Sequence, residues 1–150
     1  MIIKNQKLKG FTLAELLVII GIIGILVSLT MPALRNFQST LKLNGVSREL
    51  ISDIRYAQQL AITEQLEYCV QFFPSEKKYQ LIQCGGAIPI KELLLPEEIL
   101  SLSVNNFTDD EIRYNPYGAV QEEGNVVLEN TKNETKTILI KVSGFVKIGN

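Results

Sequence analysis

From Leu16 to Leu34 the chain runs through 19 consecutive residues without a charged side chain, and Arg35 closes the run. As a helix rising about 1.5 Å per residue it would span roughly 28 Å, close to the hydrocarbon thickness of a bilayer. Gly21, Gly24 and Pro32 interrupt it, and membrane helices carry such residues more often than soluble ones do. Beyond Pro32 the apolar positions continue as Leu34, Phe37, Leu41, Val46, Leu50, Ile54, Ala57 and Ala61, with one irregular step around Gly45. Steps of three and four place these on one helix face. Arg48, Glu49, Asp53, Gln59 and Glu64 fall mostly between them. The pattern predicts one long helix from about Phe11 to Glu64, apolar all round over residues 11–34 and amphipathic over 35–64. A bend is expected near Pro32, which cannot donate the helical hydrogen bond.

After residue 64 the pattern changes. Tyr68–Phe73 and Tyr79–Cys84 read as strands split by Pro74-Ser75-Glu76-Lys77-Lys78. Centring the turn between Glu76 and Lys77 sets Phe73 opposite Gln80 and Cys69 opposite Cys84. Residues 85–98 hold Gly85-Gly86, Pro89 and Pro96, and read as a connection with room for a short strand or turn. Further strands are expected at Ile99–Val104, Ile112–Tyr114, Val126–Leu128 and Thr137–Val142. Asn115-Pro116-Tyr117-Gly118 signals a turn, and Ser143-Gly144 a tight one that folds Phe145–Ile148 back as a hairpin. Antiparallel strands following one long helix define an α+β class, the helix packing on a β-rich domain over residues 65–150.

Charge gives the chain a direction. Lys4, Lys7 and Lys9 precede the apolar run, with no acid among the first ten residues, so the positive-inside rule leaves this leader in the cytoplasm and the remainder outside. An oxidising space beyond the membrane favours a Cys69–Cys84 disulfide, the alternative being two reduced cysteines packed as small apolar residues. A register slip of one residue would send the two sulfurs to opposite faces. One carboxylate, Glu15, sits at the fifth position after Gly10. A charge in a membrane helix costs roughly 2.5–3.5 kcal/mol at the bilayer centre and less near an interface, so a compensating partner is expected. A cleaved secretory signal fits poorly, because the run exceeds its usual length, follows an acid and lacks an A-x-A-like site. A plain single-pass anchor fits the length but leaves Gly10-Phe11 and the placing of Glu15 without a reason.

Lys9 to Leu17, KGFTLAELL, resembles the class III signal of type IV pilins and type II secretion pseudopilins, usually KGFTLIEL, with Ala14 in place of the common Ile. The resemblance implies that a prepilin peptidase cuts between Gly10 and Phe11 on the cytoplasmic side. Phe11 is then N-methylated, and the apolar run is kept as anchor and filament core. It also implies that Glu15 meets the Phe11 amine of a neighbouring subunit, and that the helix loosens between Gly24 and Pro32. The implied partners are other pilins or pseudopilins, the peptidase, an inner-membrane assembly platform and membrane lipid. The implied location is the inner membrane with the N-terminus in the cytoplasm, followed by a periplasmic or extracellular filament. The phrases RELISDIRYAQQLAITEQ, IRYNPYGAV, VVLE and TILIKVSGFVKI resemble minor pseudopilin H and the FimT-like minor pilins. The expected function is a minor pilin or pseudopilin. Many major pilins place a disulfide near the C-terminus, and this chain departs from that.

Composition removes most other chemistry. Taking the leader's three lysines from the fifteen basic side chains leaves twelve against sixteen acids, which gives no broad electrostatic footprint for nucleic acid. With no His and two Cys, neither a usual structural zinc site nor a Cys-His nucleophile pair can be assembled. Asp109-Asp110-Glu111, Glu97-Glu98 and Glu122-Glu123 lack calcium-loop spacing and read as solvated acids. No cofactor, no metal and no enzymatic activity is expected; the chain reads as the substrate of an enzyme. The alternative is a DNA-binding minor pilin of an uptake pilus. Only Lys141 and Lys147 stand where some FimT-like pilins carry arginines, and two lysines neutralise few phosphates. DNA is therefore not expected as a partner.

Overall fold

The computed structural model of the protein describes residues 10–149, and over 31–36 the backbone only. The leader lysines and the side chains of Pro32 and Leu34 lie outside the described residues. Helix α1 runs continuously over Leu13–Glu64, through Gly24 and Pro32. The chain divides into two compact units after Phe37. In the first, Leu13–Thr30 is long and apolar enough to cross a membrane, and none of it is buried.

The second unit pairs the rest of α1 with eight antiparallel strands. They are β1 (Tyr68–Phe73), β2 (Lys78–Gln83), β3 (Lys91–Leu94), β4 (Ile99–Asn105), β5 (Glu111–Tyr114), β6 (Gly124–Asn130), β7 (Thr135–Ile140) and β8 (Val146–Gly149). They form two four-stranded sheets, ordered β3-β2-β1-β5 and β4-β6-β7-β8, so the expected β-rich domain has two layers of strands. A single core joins the sheets to the helix. Leu50, Ile54, Ala57 and Ala61 of α1 meet Val70, Leu81 and Ile112 of the first sheet and Ile99, Leu128 and Ile138 of the second. All of these are fully covered.

Two sequence expectations about this packing need correction. Phe37 and Leu41, expected on the apolar face, are 58% and 52% exposed, and Leu43 takes the core position near Leu41. Nine residues separate Leu41 from Leu50, and nine steps of about 100° bring Leu41 half a turn away from the core face. Seven steps return Leu43 to it. Asp53, read as part of the solvated face, is buried beside Ile54.

The first hairpin also has a different register. Phe73 faces Lys78, not Gln80, and Cys69 faces Ile82, not Cys84. Pro74–Glu76 forms a turn of 3-10 helix and Lys77 closes it in the left-handed region at φ 50°, so four residues suffice to reverse the chain. The offset is two residues, and alternation along a strand has period two. Cys84 therefore keeps the face of Cys69, displaced diagonally.

Two glycine turns lock the helix to the strands. Gly118 and Gly144 both adopt φ near +79°, the first where Gly118 N–H donates to Asn115 O and the second where Gly144 N–H donates to Lys141 O. Gln58 of α1 reaches between them, its Nε2 donating to Gly118 O at 2.8 Å. At the other end of this helical segment, Thr40 donates to Glu134 in the β6–β7 turn at 2.8 Å.

Candidate functional site

The residues singled out by sequence fall into two separate places. Near the start of α1, Thr12 precedes the first helical turn and Glu15 lies within it. Glu15 Oε2 accepts from Thr12 N–H at 3.0 Å and from Thr12 Oγ1 at 2.9 Å, while Glu15 N–H donates back to Thr12 Oγ1 at 3.2 Å. This is a reciprocal capping box, with the Thr-x-x-Glu spacing that such a box requires. The spacing stands in the sequence as Thr12-Leu13-Ala14-Glu15 and gives Glu15 a local partner besides the external one expected. Gly10 and Phe11 lie just outside the helix, and Phe11 is 78% exposed. The Phe11 nitrogen belongs to a peptide bond here and carries no charge, and Glu15 Oε2 takes its hydrogen bonds from Thr12 instead.

The second place is the disulfide. The buried Cys69 near the start of β1 and the half-buried Cys84 just past β2 are joined, with Cα atoms 5.2 Å apart. Glu111 of β5 lies alongside, and its carboxylate is already engaged by Gln71 Nε2 at 2.7 Å and Arg113 Nη2 at 2.9 Å. The two sulfurs and Glu111 lie close enough together to resemble a ligand set, but bonded sulfurs have no thiolate to offer a metal. The bridge closes a loop of 15 residues, for which chain entropy gives about 3 kcal/mol of stabilisation. Replacing both cysteines with Ser is expected to lower the melting temperature by roughly 10 °C on that figure. An unchanged melting curve would mean that the bridge adds nothing.

A buried polar cluster escaped sequence reading altogether. Tyr79 of β2 donates to Asp53 at 2.7 Å, and Lys91 of β3 donates to both Asp53 oxygens at 2.7 and 2.8 Å and to Glu49 at 3.1 Å. Burial pulls the Lys91 ammonium down, but its bonds to Asp53 and Glu49 outweigh this and hold it above the usual lysine range. Burial, reinforced by Asp53, pushes the Tyr79 hydroxyl far above an ordinary phenol. The cluster fastens β3 to the helix. No periodic signal could reveal it, because Asp53 sits at the edge of the apolar stripe.

Of the other sequence candidates, Asp109, Glu111 and Glu122 line one small pocket together with Arg113. Glu122 takes up the Thr108 N–H at 2.7 Å and the Thr108 hydroxyl at 2.8 Å, and these bonds hold its carboxyl below the usual range. Lys141 and Lys147 are exposed on the last hairpin. The arrangement offers a lone acid at the head of an exposed apolar helix and a cross-braced domain.

Comparison with known proteins bears on both units. The prokaryotic N-terminal methylation motif matches residues 5–31. The family described as type II transport protein GspH matches residues 46–144. No curated protein matches the chain in sequence. In fold the chain is similar to the type IV minor pilin FimU of Pseudomonas aeruginosa, with 13% identity and a TM-score of 0.62 over 76% of this chain and 92% of that one. It is similar also to the minor pseudopilin EpsH of the type 2 secretion system of Vibrio cholerae, with 10% identity and a TM-score of 0.61 over 72% of this chain and 96% of that one. The methylation motif thus falls on the exposed apolar helix and the family match on the β-rich domain, and the chain belongs to the family described as type II transport protein GspH.

Proposed function

We propose that the chain is an inner-membrane precursor which a prepilin peptidase cuts between Gly10 and Phe11. The mature subunit is then drawn from the bilayer into a filament through an assembly platform. The observation that carries this reading is the position of Glu15, one helical turn from Phe11 at the head of an unburied apolar run. Cutting converts the Phe11 nitrogen from a neutral amide into a cation. Glu15 then has a choice between its own Thr12 and the amine of an adjoining subunit. Away from water the ionic partner is favoured, because opposite charges attract more strongly as the dielectric falls. The pair sets register along the filament more than it adds stability, since removing both charges from water is costly. The domain is displayed outside the membrane, where its disulfide forms.

Intact-mass measurement of the membrane form tests the reading. A chain beginning at methyl-Phe11 is expected. A chain that still begins at Met1 would mark a plain anchor. DNA uptake is the other reading, and it requires salt-dependent binding of DNA; failure to retain DNA at low salt removes it.

A further inference from the structure

Alternation along the first sheet separates its two faces. Tyr68, Val70 and Phe72 of β1 and Ile112 and Tyr114 of β5 join the core, so Cys69, Gln71, Glu111 and Arg113 stand on the other face. The register sets Cys69 opposite Arg113 and Gln71 opposite Glu111. Cys84 reaches the same place from the end of β2. Its N–H donates to Glu67 O at 3.0 Å, and Gly86 N–H closes the turn after it on Gln83 O at 2.8 Å. Backbone bonds thus hold both cysteines in place, independently of the bond between their sulfurs.

One contact on this face has no hydrogen in it. Cys69 Sγ lies 2.9 Å from Glu111 Oε1, and a sulfur in a disulfide has no proton to donate. Reduction changes that chemistry. A phosphine gives two electrons to the Cys69–Cys84 bond, which breaks; water supplies a proton to each sulfur and the oxygen of the phosphine oxide that leaves. Two sulfurs and a carboxylate oxygen, now free of the S–S bond, stand within 4.8 Å of one another. Sulfurs about 3.8 Å apart suit tetrahedral zinc at its bond length of about 2.3 Å, and Cα atoms 5.2 Å apart allow that opening by side-chain rotation. Glu111 spends three of its roughly four acceptor positions on Gln71 and Arg113, which leaves one for a cation and fixes the carboxylate's orientation. The charges also balance. Two thiolates and a carboxylate bring three negative charges, and a divalent cation with the Arg113 guanidinium cancels them. Cys69 is fully covered and the Glu111 side chain is 12% exposed, so neutrality matters there. Sulfur donors select zinc over calcium or magnesium.

We propose that the reduced chain binds one zinc ion through Cys69, Cys84 and Glu111, and that metal and disulfide are alternative occupants of this site. Binding releases the two thiol protons to solvent. Closing the bridge passes the sulfurs' two electrons to an oxidant disulfide, whose own sulfurs leave as thiols with protons from water, and expels the ion. Until then the ion ties the end of β2 to β1, as the disulfide does afterwards. The filament reading plays no part in this site.

The test titrates cobalt(II), whose bonds to thiolates absorb in the near ultraviolet, into the full-length chain after phosphine reduction and removal of the excess. One cobalt per reduced chain is expected, with that absorption, and zinc should displace it. The oxidised chain should show none. Glu111→Gln should weaken binding at least about tenfold, the loss that removing a ligand's hydrogen-bond partner already brings. Oxidised Glu111→Gln should still melt in one cooperative transition, which separates lost affinity from lost folding. Glu122→Gln, outside the cluster, should bind as the parent does. Zinc at about a hundredfold its Kd should raise the melting temperature of the reduced parent chain, which metal held by unfolded cysteines would not do. No uptake, equal uptake by the oxidised chain, one cobalt shared by two chains, full affinity in Glu111→Gln, or a melting temperature that zinc leaves unmoved would each overturn the inference.

Discussion

Glu15→Ala is expected to insert into the membrane as well as the parent chain and to be lost from filaments. Insertion depends on the apolar run, and deleting a charge removes a cost. On the proposed function, assembly instead leaves the Phe11 ammonium of a neighbour without its partner in a poorly solvated surround. Removing one member of a buried ion pair costs about 3–5 kcal/mol, enough to exclude most copies from a growing polymer. The capping box supplies a rival explanation, since the same substitution frees the Thr12 N–H. A cap is worth only about 0.5–2 kcal/mol. Thr12→Val removes the hydroxyl contacts but leaves the carboxylate, so it separates the two roles. It should enter filaments nearly as well as the parent. Normal incorporation of Glu15→Ala, or equal loss with Thr12→Val, would refute the pairing role.

Gly144→Ala is expected to cost the domain about as much as loss of the disulfide. A Cβ there would stand 2.2 Å from both Gln58 Nε2 and Gly118 O, and real atoms cannot approach so closely. Gly118 O is backbone in another tight turn, also at positive φ, so it has little freedom to withdraw. Gln58 can withdraw, but only by giving up its bond to Gly118 O. Left-handed strain adds about 1–2 kcal/mol for a residue with a Cβ, and the broken bond about as much again. A total near 3 kcal/mol should lower the melting temperature by roughly 10 °C. Gly45→Ala is the control. It lies mid-helix with open space around it, and alanine should raise stability by about 0.5–1 kcal/mol. Equal melting temperatures for the two variants would show that the paired turns do not lock the helix.

The extent of α1 was legible because one continuous pattern, apolar and then amphipathic, runs from Leu13 to Glu64. The strands were legible because turn residues separate them, as at Asn115-Pro116-Tyr117-Gly118. What periodicity could not supply was the partition into two sheets, which depends on pairings such as β1 with β5, some forty residues apart. The hairpin register turns on the 3-10 turn of Pro74–Glu76 and on Lys77, a left-handed residue that nothing in its side chain announces. Leu41 leaves the core face because the irregular step of five to Val46 turns the helix about 140° past a full turn, and the step of four to Leu50 completes the half turn. At the membrane end, Glu15 was found through its oddity, whereas its Thr12 partner was overlooked because threonine before a helix is unremarkable in composition.

The hydroxyl buried against Asp53 gives the fold an alkaline boundary. Hydrogen bonding to Glu64 pushes Tyr68 up to about 12, burial raises Tyr114, and Tyr79 is raised most. An unfolded phenol releases its proton near pH 10. Below that, these tyrosines are neutral in either state; above it, the open chain sheds protons that the folded chain must retain, and the native state loses ground with each further rise.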